Sequence, residues 1–129
     1  MSPEIKPTVP SLRSKFHYLF LSITNYYRVV FHEEVSDGFE EAKAASIKLT
    51  EEGCFSEYQV ANINELFQIY PTLPTKSKKV YSVEEESRFV KINDLLDLII
   101  HDISETIGDM IKQDLQHSIK QLLNDPKGM

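Results

Sequence analysis

Carboxylates and histidines recur at helical spacing in the last third of the chain, and these residue types could bind metal or transfer protons. Asp97 lies four residues before His101, and Asp114 lies three residues before His117, so each pair shares one face of a helix. Di-metal helical bundles turn such pairs inward from several helices. Here the acidic positions fall mostly off the apolar stripe, and matching ligands elsewhere are scarce, with residues 32–34 as the candidates. We therefore expect a solvated charged face, with no metal site and no cofactor.

The segment from His101 to Gly108 (His-Asp-Ile-Ser-Glu-Thr-Ile-Gly) is the sharper candidate for chemistry. It resembles the phosphoacceptor box of histidine kinases and related phosphotransferases, in which an acidic residue and then a polar residue follow a helical histidine. The resemblance implies that His101 attacks phosphate, that Asp102 accepts its proton and that Glu105 orients it. It covers about ten residues, and Thr106 stands where that family usually has proline. The sequence therefore leaves two hypotheses. The first is a non-enzymatic protein, and the alternative is histidine phosphotransfer or metal chemistry centred on His101.

Composition favours a single globular domain. The chain has 129 residues, of which 41% are hydrophobic and 26% charged, a profile typical of a folded protein of this size. Its formal net charge of −6 disfavours nucleic-acid binding, because that binding needs cationic surface to displace counterions from phosphates. The lone cysteine, Cys54, can form neither an internal disulfide nor a cysteine-based zinc site, so we expect a half-buried thiol.

A mostly apolar run over residues 16–31 follows Arg13 and Lys15 and raises the question of a membrane span or signal peptide. The run is interrupted by polar residues and is shorter than the roughly 20 residues that a membrane-spanning helix needs. No small-residue cleavage motif follows it. We therefore expect a cytoplasmic protein that does not associate with membranes.

The same run predicts the first helix. Three prolines mark residues 1–10 as a flexible arm, and Ser11 is a plausible N-cap for a helix over residues 12–34. Tyr, Val, Ile and Phe also favour strands, but the length of the run and its lack of turn residues favour a helix. Because this helix is apolar nearly all round, we expect it to be central in a bundle or buried on two sides.

Two shorter helices are predicted after it. Ser36 or Asp37 can cap a helix over residues 37–52, which Gly53 can terminate. Ser56 opens a further helix over residues 56–70 that ends at Pro71. Residues 71–82 then form a mobile basic loop, because two prolines exclude a helix and the segment carries Lys76, Lys78 and Lys79.

The last helix is long. Ser82 and Glu85 form a Ser-x-x-Glu capping box, and apolar residues then recur at helical spacing over residues 84–124. A continuous helix of that length would span about 60 Å, more than the diameter of so small a domain, so its exposed half would need a second chain. Whether it is continuous or broken near Gly108 stays open.

These patterns predict an all-α fold: a bundle of about four helices over residues 11–125, with a long amphipathic C-terminal helix, a tail at 126–129 and a dimeric state. We expect a non-enzymatic protein–protein interaction module, such as an adaptor, inhibitor, immunity-type or chaperone-like protein, that binds another protein, itself or both. Its predicted contact residues are Tyr18, Tyr26, Tyr27, Phe31, Lys76, Lys78 and Lys79. The alternative for the four aromatic residues is simple core packing.

Overall fold

The computed structural model describes residues 7–75 and 80–124, and over these residues the protein is helical without strands. Its helices are α1 (Val9–Phe31), α2 (Phe39–Glu51), α3 (Glu57–Ile69) and α4 (Val83–Asn124), and a 3-10 turn over Tyr70–Thr72 follows α3. This confirms the predicted all-α fold of four helices with a long C-terminal helix. No helix in the described part of the chain is both long enough and apolar enough to cross a membrane.

α1 begins earlier than predicted. Thr8, and not Ser11, is its N-cap: the Thr8 hydroxyl accepts the Ser11 N–H at 3.2 Å, and the Thr8 N–H donates to Ser11 Oγ at 2.9 Å. Pro10 lies in the first turn, where its missing N–H costs no helical hydrogen bond. Val9 is buried in the core, so residues 9–10 belong to the helix and not to a flexible arm. Residues 1–6 of the predicted arm lie outside the described residues.

α1 ends at Phe31, three residues before the predicted end. His32 takes the left-handed conformation with φ 57°, and its N–H donates to the Arg28 carbonyl at 2.8 Å. The Arg28 guanidinium donates to the Val35 carbonyl at 2.7 Å and lies 3.3 Å from the Glu34 carboxylate. Because Val35 lies beside Arg28, the segment after α1 runs back along that helix and lets α2 begin near its middle.

The C-terminus of α2 agrees with the prediction, and its N-cap does not. Asp37 does not cap the helix, because its carboxylate accepts a hydrogen bond from the buried Thr24 hydroxyl at 2.8 Å, and Gly38 takes the N-cap position without a side-chain bond. At the other end Gly53 has φ 74°, as a helix-terminating glycine should. Its N–H donates to Thr50, and the next N–H donates back to Leu49, which is the Schellman pattern.

Side-chain contacts fix the directions of α2 and α3 against α1. The rings of Phe20 and Phe39 lie 5.8 Å apart, and the Lys48 ammonium lies 5.9 Å from the Tyr27 ring, so α2 runs parallel to α1. α3 returns in the opposite direction: its last turns place the Phe67 ring 5.9 Å from Phe20. Its N-cap, Ser56, forms a capping box with Gln59.

α4 then runs parallel to α1 along the whole of that helix. Lys15 Nζ lies 2.8 Å from the Asp97 carboxylate, and farther along both helices Val29 and Ile111 line one groove. The α4 residues that the periodic pattern assigns to the core are buried: Phe89, Ile92, Leu96, Ile99 and Ile103. α1 is therefore central, and α4 covers it from end to end.

α4 is one unbroken helix of 42 residues, which continues through Gly108. Its start matches the predicted capping box, because the Ser82 N–H donates to Glu85 Oε1 at 3.1 Å and the Glu85 N–H donates to Ser82 Oγ at 3.1 Å. At 1.5 Å per residue it is about 63 Å long. A glycine in mid-helix costs about 1 kcal/mol against alanine, too little to break a helix anchored over so many turns.

Candidate functional site

A groove lies between the C-terminal half of α1 and the middle of α4. We call it the α1/α4 groove; it has a volume of about 380 Å³. Most of its wall is apolar, and its rim carries hydroxyl, amide and guanidinium groups. Its lining residues are Tyr18, Leu21, Ser22, Asn25, Arg28, Val29, Ser104, Ile107 and Ile111.

Beyond this groove no other helix of the described residues packs against α4. α1 ends at Phe31, two residues after the last groove residue it supplies, whereas α4 runs on to Asn124. Every residue from 112 to 124 is exposed, and we call this stretch the α4 overhang. A helix of about 13 residues is marginal in water when nothing packs against it, so the overhang is the part of the fold with the least support.

The overhang is apolar along one side. Four large aliphatic side chains, which we call the apolar stripe, continue from the groove with exposed fractions of 46% to 68%: Ile111, Leu115, Ile119 and Leu122. The two steps of four each advance about 40° beyond a full turn and the final step of three falls about 60° short of one, so the stripe stays on one side of the helix. Gly108 lies on the same side, and a Cβ at that position would have no atom of another described segment within 4 Å. The groove and the stripe therefore form one continuous apolar surface.

Charge changes along this surface. The segment 105–114 contains Glu105, Asp109 and Asp114 against one cation, Lys112. The segment 115–124 contains Lys120 and no carboxylate. The apolar face of α4 thus passes from an acidic segment to a weakly basic one.

The four aromatic residues predicted as contact anchors differ in how exposed they are. Tyr18 is 55% exposed and forms one lip of the α1/α4 groove. Tyr26 and Tyr27 are only 5% and 6% exposed, so both pack in the core of this fold, and their role as contact residues stays a prediction. Tyr26 packs on Phe55 with ring centroids 5.4 Å apart, so it joins α1 to the start of α3.

Phe31 is half-buried, with its ring 4.7 Å from that of Tyr27. The Tyr27 hydroxyl donates to the Glu33 carboxylate at 2.7 Å, which holds the segment after α1 against the helix end. These two rings therefore pack together in the last turn of α1. The predicted basic contacts Lys76, Lys78 and Lys79 lie outside the residues that the structure describes.

Two of the three residues that resemble a phosphoacceptor box lie close together, and the third is held by another helix. The His101 side chain is 79% exposed, and its Nε2 lies 3.6 Å from the Glu105 carboxylate one turn later. The Asp102 carboxylate instead accepts a hydrogen bond from the Gln59 amide of α3. Within the described ranges no group of three or more His, Cys, Asp and Glu side chains is placed to hold a metal ion. Phosphotransfer stays a prediction from the sequence, and phosphoramidate formation with a receiver domain is its test.

Cys54 lies half-buried between α2 and α3, and its carbonyl accepts the Tyr26 hydroxyl at 3.3 Å. Burial, and after it the nearby Glu52 carboxylate, raises the pKa of the Cys54 thiol. We expect the native thiol to react with Ellman's reagent more slowly at pH 8 than the same thiol in urea, since the thiolate is the attacking species. Equal rates would contradict this placement.

The raised pKa of Cys54 also predicts how stability depends on pH. The unfolded thiol ionises first, so the free energy of unfolding falls as pH rises from the ordinary cysteine value of about 8.5 through the native pKa. Cys54→Ala should make this fall shallower, as measured by urea denaturation between pH 7 and pH 10. An unchanged slope in the variant would refute this expectation.

Leu21, Val29 and the apolar stripe were not among the contact residues predicted from the sequence. The run of apolar residues in steps of four after Ile107 was the available signal, but it could not show where the rest of the bundle stops. Comparison with profiles of protein families, with curated proteins and with solved structures finds no match for this chain. The argument for its function therefore depends on the geometry of the groove and the overhang.

Proposed function

We propose that this protein is a non-enzymatic, helical protein–protein interaction module whose docking surface comprises the α1/α4 groove and the apolar stripe. The single observation that carries the proposal is the α4 overhang, in which residues 112–124 are all exposed while the stripe of aliphatic side chains continues through them. Monomeric proteins seldom leave a contiguous apolar face in water, and such faces mark interaction sites.

The energetics fit a reversible contact. Fully burying one Leu or Ile side chain is worth about 1.5–3 kcal/mol, so the partly exposed stripe offers roughly 3–7 kcal/mol on docking. Association costs on the order of 4–15 kcal/mol in lost rigid-body freedom, so the stripe alone does not suffice. The groove must contribute as well, and Tyr18 on its lip is the kind of rigid aromatic residue that anchors interfaces.

An adaptor, inhibitor, immunity-type or chaperone-like protein would work by this kind of contact, and so would a homodimer. In each case a helix or helical hairpin laid along α4 would fill the groove with one end and cover the stripe with the rest. Docking would also support the overhang, against which no other helix packs in the part of the monomer that the structure describes.

Site-specific photo-crosslinking in the cells that make the protein tests the proposal. A photoreactive phenylalanine analogue replaces Leu115 on the stripe and, as the control, Gln113, which is exposed on the opposite side of the same helix. We expect discrete covalent adducts, identified by mass spectrometry, from position 115 and few from position 113. No adducts at either position, or the same adducts at both, would overturn the proposed function.

A further inference from the structure

The chain carries an apolar groove and an apolar helix that projects from it, and a single molecule cannot bring the two together. The overhang and the α4 wall of the groove belong to one unbroken helix, so the overhang projects away from the groove. In a pair of molecules, the overhang of each can reach the groove of the other. We propose, as a refinement that rests on the proposed function, that the docking surface takes a second copy of this chain. The two overhangs pack antiparallel about a two-fold axis at Leu115, and each tip reaches the other's groove.

Side-chain sizes along α4 fit this arrangement. If Leu115 faces its counterpart, Ile111 faces Ile119 of the second copy, because each lies four residues from the axis. Gly108 and Leu122 lie seven residues on either side of the axis, so the smallest residue of the face meets a leucine. Among the described residues the space beside Gly108 is open, because no other segment comes within 4 Å of where its Cβ would lie. The surface is thus self-complementary, as a two-fold interface must be.

The lengths also match. Residues 112–124 extend about 20 Å, and the α4 side of the groove, from Ser104 to Ile111, extends about 10 Å. Antiparallel packing about Leu115 places Leu123 of the second copy opposite Ile107, inside the groove. The 380 Å³ groove is large enough for one or two leucine side chains beside Tyr18 and Val29. The C-terminal end of each overhang is therefore covered by the α1/α4 groove of the other molecule.

Charge distinguishes antiparallel from parallel packing. The antiparallel arrangement sets residues 106–114 of each copy, which include Asp109 and Asp114, against residues 116–124 of the other, whose only formal charge is Lys120. A parallel arrangement would set Glu105, Asp109 and Asp114 against the same three residues. Like charges brought together across an interface are costly, so the charge pattern selects the antiparallel form.

Engineered cysteines test both the partner and the orientation. In a Cys54→Ser background, Leu115→Cys should form a disulfide-linked dimer rapidly under mild oxidation, because the axis places this position against itself. Ile111→Cys and Ile119→Cys should each link poorly alone but link to each other when mixed, with a mass tag on one chain identifying the mixed product. Gln113→Cys, on the opposite side of the helix, is the matched control and should not link above the background rate.

Other linking patterns would overturn the inference. Efficient self-linking at 111, 115 and 119 alike would show a parallel pair, and rates equal to the Gln113→Cys control would show a monomer. A monomeric chain whose position 115 still captures a different protein in the photo-crosslinking experiment would refute the second copy while leaving the proposed function standing. Failure of both experiments would refute both proposals.

A glycine variant provides an independent reading of the register. Gly108→Leu adds a side chain to open space in the monomer, so helix content by circular dichroism should not fall. In the antiparallel dimer the new side chain meets Leu122 of the second copy, and we expect the dimer dissociation constant to rise at least tenfold. Sedimentation equilibrium measures this dissociation constant from the rise in average mass above the 14.9 kDa of the monomer. An unchanged dissociation constant in a dimeric protein would overturn this register.

Discussion

Phe20→Ala should lower the free energy of unfolding by about 3–5 kcal/mol, the range for removing a fully buried phenylalanine. Phe20 is 1% exposed and lies where α1, α2 and α3 meet. Its ring stacks on Phe67 at an interplanar angle of 6° and meets the Tyr70 and Phe39 rings edge-on at 5.1 and 5.8 Å. The loss should be near the upper end of this range, because the three rigid rings around Phe20 cannot collapse into the space left behind.

Urea denaturation followed by circular dichroism would measure this change. Tyr18→Ala, two residues earlier on the same helix, is the matched control, since Tyr18 is 55% exposed and should lose under about 1 kcal/mol. If the two variants were equally stable, Phe20 would not lie at the junction of the three helices, and the directions assigned to α2 and α3 would lose their main support.

The features that the sequence predicted well depend on neighbouring residues. Ser82 with Glu85 begins α4, and Gly53 terminates α2, because each bond involved joins residues only a few positions apart. The buried stripe of α4 was equally predictable, since a 3.6-residue period leaves only one face to pack against α1. Local chemistry and periodicity therefore fix the helices and the core face of the longest one.

The features that the sequence did not predict depend on distant partners. Asp37 looked like an N-cap, but its carboxylate binds Thr24, which lies thirteen residues earlier on another helix. Tyr26 and Tyr27 looked like contact anchors because α1 is apolar all round. The pattern could not tell which sides α2, α3 and α4 would cover. Once three helices surround α1, Tyr18 is the exposed one of these tyrosines.

The docking surface was also only partly predictable from the sequence. Periodicity predicted that Ile111, Leu115 and Ile119 share a face, and they do. It could not predict that α1 stops near the level of Ile111, because that level depends on how the two helices align, for which the Lys15–Asp97 ion pair is one marker. A helical stripe becomes a candidate site only where its neighbour ends.

A chain that stops after Lys112 should keep the fold and lose the assembly. Residues 113–124 are all exposed, so removing them takes away no core contact, and the free energy of unfolding of the monomer should change by less than about 1 kcal/mol. The change in association should be large by comparison, because Leu115, Ile119 and Leu122 are all removed. Sedimentation equilibrium should find this truncated chain monomeric at concentrations where the full chain associates.

The matched control for this truncation is the full-length Gln113→Ala variant, which alters the opposite side of α4 and should associate like the unmodified chain. Two results would contradict the role assigned to the overhang. A loss of several kcal/mol in the truncated monomer would mean that the overhang folds back onto the bundle in solution. Unaltered association without residues 113–124 would place the docking surface elsewhere, and the exposed Tyr58 and Leu98 side chains flanking α3 and α4 would be the next surface to test. Because stability and association are measured separately, the experiment distinguishes a helix needed for folding from one that the fold leaves free to bind.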